Sequence, residues 1–423
     1  MAQLRELGQQ EYPQSHDLSY PYPRFSLAER DRRWKAVREE MAKAGVDVLV
    51  GSNNTGHWDH WQSDIRYLTQ IGGHCVDAAV VFPLESEPTG FAINDLYWGI
   101  AAPHWLRDLR PTGWRWGEAI GKRLQELAAD TGKDDPTIAI TGLAGVLRAP
   151  EGTVPWGTID RIKEMMPRAK IVNGTDICRY PRYIKSLEEI DILQKSVDLI
   201  EKAVEAMRNT ARPGVKESVV YANMIQAMIA DGGEIPTMLS WLSGPWGHLS
   251  RRLTIATERA MEKGDAILNE IEARYAGYCG QQDQPLFLGP IPQDVQDMFK
   301  WQMDAVDAAM EVMSPGHTFQ EVIDAARDAS KGSDTYVTSL TFHGRGLGDD
   351  WPLIVGGGAA GGTGNLLERP IVENTVFVVK PNVRKRTSSY RGEGLTWADT
   401  VQVTATGARR MGKRPPGLIS VEC

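Results

Sequence analysis

Cysteine is scarce in this sequence: among 423 residues there are four, Cys75, Cys178, Cys279 and Cys423, widely separated and without a CxxC pair. That pattern excludes a zinc knot or a disulfide scaffold and fits reduced thiols used mostly in packing. Excess positive charge is also missing. With 47 Lys and Arg against 55 Asp and Glu, the formal net charge is −8, which argues against binding nucleic acid through a broad basic face. No run of about 18–20 apolar residues could cross a bilayer, and the opening "MAQLRELGQQEYPQSHDL" lacks the apolar core of a signal peptide. The expectation is a soluble, cytoplasmic protein with a small-molecule substrate, no membrane partner and no nucleic acid. Nucleophile motifs are absent too: there is no GxSxG elbow and no recognisable Cys–His arrangement, so acid–base chemistry is preferred. The glycine-rich run "GGGAAGGTG", Gly356 to Gly364, lacks the Gly-Lys-Ser/Thr ending of a phosphate loop and is read as a flexible cleft loop. No cofactor is expected.

What is present points to two domains, since single cores usually stop growing at about 250–300 residues. The first, residues 1–180, reads as α/β. Ser26 with Glu29 has the spacing of a capping box, and Trp34, Val37 and Met41 recur at helical intervals. The β-rich runs "VDVLVGS", "DAAVVFPL", "TIAITGL" and "AKIVNGT" follow, separated by stretches long enough for helices. The second domain, residues 181–423, opens after "RYPRYIK" with another capping box, Ser186 and Glu189. A helix follows whose stripe is Ile190, Leu193, Val197, Ile200, Val204 and Met207.

Within that domain the sequence repeats a theme. "AVEAMRNTARPGVKESVVYANM" and "AMEVMSPGHTFQEVIDAARD" both read as a helix, a Pro-Gly break and a second helix, and each leads into a β-rich segment, "GDAILNEIEARYAGY" or "NTVFVVKPNVRK". Two related α+β halves facing each other would place a cleft between their sheets. In a strand through Leu268–Arg274 the two-residue period puts Glu270, Glu272 and Arg274 on one face, a paired carboxylate on the cleft side. Lys380, on the equivalent strand of the second half, is placed to meet those carboxylates. Both a catalytic role and a structural Glu–Lys pair are open to it.

These segments, with "SGPWGH", "FHGRGLG" and "ADTVQVTATGA", resemble the creatinase/aminopeptidase or pita-bread family, and "SDIRYLTQIGG" is similar to the N-terminal domain of its creatinase–prolidase branch. The resemblance implies an α/β N-terminal domain followed by an α+β pita-bread domain with an internal pseudo-two-fold duplication. It also implies positions for a two-metal site built of two aspartates, a histidine and two glutamates. Those positions fall here on Glu270, Gln281, His343, Lys380 and Ala398. Only Glu270 and His343 keep metal-binding capacity, and a lysine ammonium has no lone pair to offer a dication.

The expectation is therefore a metal-independent enzyme, with creatinase-like hydrolysis of a non-peptide C–N bond as the first reading. The alternatives are a C–C or C–S lyase acting on an aromatic or cationic small molecule, and a non-catalytic binding protein of the same fold. The candidate catalytic set is His248, Glu270, Glu272, His343 and Lys380. Asp283, which resembles a substrate-binding acid of the creatinases, joins Arg345, Trp58, Trp61 and Trp351 as candidate substrate-binding residues. Trp98, Trp105, Trp114 and Trp116 add to the aromatic load of the first domain, which suggests an aromatic-lined pocket or a homodimer interface. His57 and His60 have no evident third ligand nearby and are read as loop or packing residues.

Overall fold

The computed structural model describes residues 25–53, 62–72, 77–93, 105–249, 255–359, 367–387 and 394–423. It divides into two compact units, Met1–Arg182 and Tyr183–Cys423.

The first unit is α/β. Helix α1 (Leu27–Lys43) starts where Ser26 Oγ accepts from the Glu29 amide. The Glu29 carboxylate binds Arg32 and Arg33 at 2.6–2.8 Å. Strand β1 (Val48–Gly51), helix α2 (Ser63–Thr69), strands β2 (Ala78–Pro83), β3 (Thr89–Ala92) and β4 (Asp108–Pro111), helix α3 (Trp116–Thr131), strand β5 (Thr137–Thr141), helix α4 (Trp156–Met165), strand β6 (Lys170–Asn173) and helix α5 (Thr175–Tyr183) follow in turn. The six strands form one mixed sheet in the order β4-β3-β2-β1-β5-β6. Its apolar run of Val48, Val50, Ala79, Val81, Ile138 and Ile140 packs on Ile120, Leu124 and Ile159 of α3 and α4. A strand buried on both faces reads as a continuous apolar run, which is why these segments stood out in the sequence.

The second unit has the pita-bread fold. Its first half runs through α6 (Leu187–Thr210), α7 (Glu217–Ala230), β7 (Leu239–Pro245), β8 (Asp265–Tyr275), β9 (Tyr278–Gln282) and β10 (Leu286–Leu288). The second half runs through α8 (Gln293–Val312), α9 (Phe319–Asp328), β11 (Tyr336–Arg345), β12 (Asp349–Val355), β13 (Gly358–Ala359) and β14 (Val376–Lys385). It continues into β15 (Leu395–Thr396), β16 (Asp399–Thr404), β17 (Gly407–Arg410) and β18 (Ile419–Val421). The breaks between paired helices match: Gly214 and Gly316 both take positive φ, +86° and +96°, a conformation glycine reaches without steric cost.

The capping box of α6 is complete, with Ser186 Oγ and the Glu189 carboxylate each bonding the other's backbone N–H, and its whole apolar stripe is buried. Ile200, Val204 and Met207 of that stripe pack with Met224, Trp241, Ile267 and Ile271 into the core of the first half. One sheet has the order β18-β10-β8-β7, with β9 also on β8; the other runs β13-β12-β11-β14-β16-β17, with β15 on β14.

Candidate active site

The long strands β8 and β14 carry the site. Glu270 sits mid-strand on β8, opposite Ser240 of β7, whose hydroxyl accepts from the Glu270 amide at 2.9 Å. Lys380 sits on β14, opposite Thr341. Their side chains meet: Lys380 Nζ donates to Glu270 Oε2 at 2.9 Å, with the lysine side chain 8% exposed and the glutamate 40% exposed. The same oxygen accepts from Gln281 Nε2 at 3.1 Å.

This meeting depends on a short ladder between β9 and β16. The Gln281 amide donates to Thr400 Oγ1 at 2.9 Å, and that hydroxyl donates to the Gln281 carbonyl at 2.8 Å. Gln282 Nε2 donates to Asp399 Oδ1 at 2.7 Å. Asp283 and Ala398 exchange both backbone bonds at 3.2 Å.

Electrostatics keep Lys380 charged. Burial works against its ammonium form, but the carboxylates of Asp283, Glu270 and Asp349 outweigh burial and hold the amine above its ordinary value. His343 goes the other way. Burial lowers its pKa and, together with the positive charges of Arg345 and Lys380, outweighs its contact with Asp349. Its Nδ1 lies 3.1 Å from Asp349 Oδ1. A neutral ring donating there leaves Nε2 as an acceptor.

The other expected residues fare differently. Glu272 shares the face of Glu270 but lies where that face runs inward. Its Oε2 is 2.5 Å from Arg345 NH2, and both side chains are only 1% exposed. Arg345 also donates to Asp349 at 2.7 Å and to the Cys279 carbonyl at 3.0 Å. These contacts raise its pKa in spite of burial, the carboxylates of Glu272 and Asp349 foremost. Glu272, expected among the catalytic residues, and Arg345, expected to bind substrate, are thus brought together as a buried ion pair that braces β8 against β11.

Asp283 is buried and belongs to the ladder. It acts on Lys380 as a neighbouring charge. Trp351 is buried against Tyr183, with ring centroids 5.3 Å apart, which is core packing. His248 stands exposed in the turn after β7, and its ring makes no hydrogen bond among the described residues. Trp105 and Trp116 are buried in the first unit, while Trp114 is exposed. Trp58, Trp61, Trp98, His57, His60, Cys75 and much of the glycine-rich run lie outside the described residues.

Sequence reasoning missed Asp349, which joins His343 to Arg345, and Thr400, which clamps Gln281. It also missed Lys185, whose ammonium binds Asp350 at 2.7 Å in a buried pair. The acidic pair "DD" directly after "FHGRGLG" was the available signal for the first of these.

The sequence of the second unit matches a family model, that of metallopeptidase family M24, over residues 191–405. The chain belongs to this family. An Xaa-Pro dipeptidase of Pyrococcus furiosus is 26% identical over 273 residues, covering 64% of this chain and 74% of that protein. An agropine synthesis cyclase of Rhizobium rhizogenes is 23% identical over 392 residues, covering 89% of this chain and 93% of that protein. Among solved structures, the prolidase of Pyrococcus horikoshii superposes with a TM-score of 0.71 over 92% of this chain and 99% of its own, at 20% identity, which establishes a shared fold.

These M24 relatives correct the expected activity. A dipeptidase name and a metallopeptidase family speak for peptide hydrolysis. They speak against the metal-independent, creatinase-like cleavage of a non-peptide C–N bond, against the lyase alternative and against a non-catalytic binding protein. A metal is implied by the family, yet the residues here do not fit a two-metal centre. Glu270 is tied to an ammonium, Gln281 offers it an amide donor, and Ala398 has no donor atom. Among the described residues no group of three or more His, Cys, Asp and Glu side chains could hold a metal ion. No helix among the described residues is long and apolar enough to cross a membrane.

Proposed function

We propose that this M24 chain hydrolyses the amide bond of a small, dipeptide-like substrate, with Glu270 as the group that moves the proton and Lys380 as the fixed positive charge beside it. The observation that carries the reading is the Glu270–Lys380 pair between the two sheets. A carboxylate that solvent reaches is held 2.9 Å from a buried ammonium, on the two central strands of a domain matched to a peptidase family. Such a carboxylate can take a proton from water as the oxygen attacks the substrate carbonyl, then deliver that proton to the departing nitrogen. The Lys380 ammonium favours the negative charge that develops on the carbonyl oxygen. His343 enters as a neutral acceptor beside them.

The test is incubation of the purified full-length protein with a panel of dipeptides, with and without proline in second place, while free amino acids are measured. Release of both amino acids in equal amounts supports the reading. A full panel with no release contradicts it.

A second reading is favoured by one observation: the cyclase relative spans 89% of this chain, whereas the dipeptidase relative spans 64%. In that reading a hydroxyl or amine of the substrate itself attacks the amide carbonyl in place of water, the ring bond forms as the C–N bond breaks, and the departing amine takes up the proton that Glu270 removed from the attacking group. Product mass separates the two, since hydrolysis adds the elements of water and ring closure does not.

We also propose that two chains associate as a homodimer, as the aromatic load of the first unit suggests. Sedimentation at micromolar concentration should give twice the chain mass, and a monomer there contradicts the proposal.

A further inference from the structure

Gln281 stands where the family resemblance places a metal ligand. Its side chain is fully buried, yet its Oε1 has no hydrogen-bond partner among the described residues. A buried acceptor left without a partner is unfavourable, and a methionine of similar length would fill the same space without that cost. Packing therefore does not account for the amide. Its other end does: Nε2 donates to Glu270 Oε2 at 3.1 Å, while Thr400 grips the Gln281 backbone at both its N–H and its carbonyl.

Glu270, the side chain it touches, is long and 40% exposed, and the Lys380 ammonium bonds the same Oε2. A single ammonium is a point charge about which a carboxylate can still swing, whereas two donors on one oxygen, approaching from different strands, fix its orientation.

We propose that Gln281 is the positioning residue of this site: anchored by Thr400, its amide nitrogen holds the Glu270 carboxylate in the orientation from which it moves the proton. The proposal rests on the amide-hydrolysing reading only for its kinetic consequence; the placement of the carboxylate is independent of that reading.

The experiment is a crystal structure of wild type and of Gln281→Met, with melting temperatures and dipeptide kinetics for both. In the variant the Glu270 carboxylate is expected to leave the Lys380 ammonium or to split into two orientations. The melting temperature should stay level or rise, because the partnerless acceptor is gone. On any dipeptide that wild type cleaves, kcat should fall about 10- to 100-fold with KM nearly unchanged. Should Gln281→Met fail to fold, Gln281→Glu keeps the size, lacks the N–H donor when ionised, and is expected to displace Glu270 in the same way.

A Glu270 carboxylate that keeps its wild-type place in whichever variant folds overturns the proposal, whatever the kinetics. A wild-type protein that cleaves no dipeptide sinks the function reading alone, since the crystal structures still decide where the carboxylate goes.

Discussion

Lys380 and His343 titrate in opposite senses, and each sense gives a measurable slope. The folded pKa of Lys380 lies above its ordinary 10.5. Its contribution to stability is therefore complete below pH 10.5 and is lost as pH rises through the folded value. Lys380→Met should flatten the alkaline end of a melting-temperature profile. It should also lower turnover and shift the acid limb of the pH–rate profile upward, because a carboxylate deprived of a neighbouring cation holds its proton to higher pH. Unchanged turnover, with only a lower melting temperature, would make the Glu270–Lys380 pair scaffold.

His343 is depressed below its ordinary 6.5. Below that pH the unfolded chain binds more protons than the folded one, so stability present above pH 6.5 is lost as pH falls toward the folded value. Melting temperatures between pH 5 and 8 should show this fall in wild type and a shallower one in His343→Gln. Parallel curves would contradict the assignment.

At the scale of elements, local signals were legible and distant partners were not. Ser186 and Glu189 announced the start of α6 because both halves of a capping box lie within four residues, and the structure forms both bonds. Ser186→Ala should cost about 1 kcal/mol in urea unfolding; a change near zero would mean that tertiary packing alone fixes that helix end. The same logic read β8 from its two-residue period and placed Glu270 toward the cleft. It left the partner of Glu272 unread, because that partner, Arg345, is 73 positions away on β11. No local pattern marks that pairing. Arg345→Met removes the brace and leaves the Glu272 and Asp349 carboxylates buried without its charge, so a loss of roughly 3–5 kcal/mol is expected. Stability little changed alongside a raised KM would instead speak for Arg345 in substrate binding.

At the scale of the whole molecule, the two halves of the second unit were foreseeable because each repeats a helix, a Pro-Gly break, a helix and a long strand. Duplication also foretold that residues of β8 and β14 would face one another, and Glu270 and Lys380 do meet. The reaction was less legible. Departures from the expected metal positions, at Gln281, Lys380 and Ala398, led toward creatinase-like chemistry, whereas the M24 match and the dipeptidase relative turn the reading to peptide hydrolysis. Residue types at a site constrain its chemistry but do not select a substrate, because the walls that do so come from loops with no pattern of their own.

The central claim is that Glu270 moves the proton in an amide-cleaving reaction. It is tested most directly by the single-turnover rate of Glu270→Gln on a dipeptide that wild type hydrolyses. The amide keeps the shape of the side chain and removes its titratable base, so the rate should fall by about 100-fold or more while dipeptide affinity stays within a few-fold. A variant that cleaves the dipeptide at the wild-type rate would contradict the account.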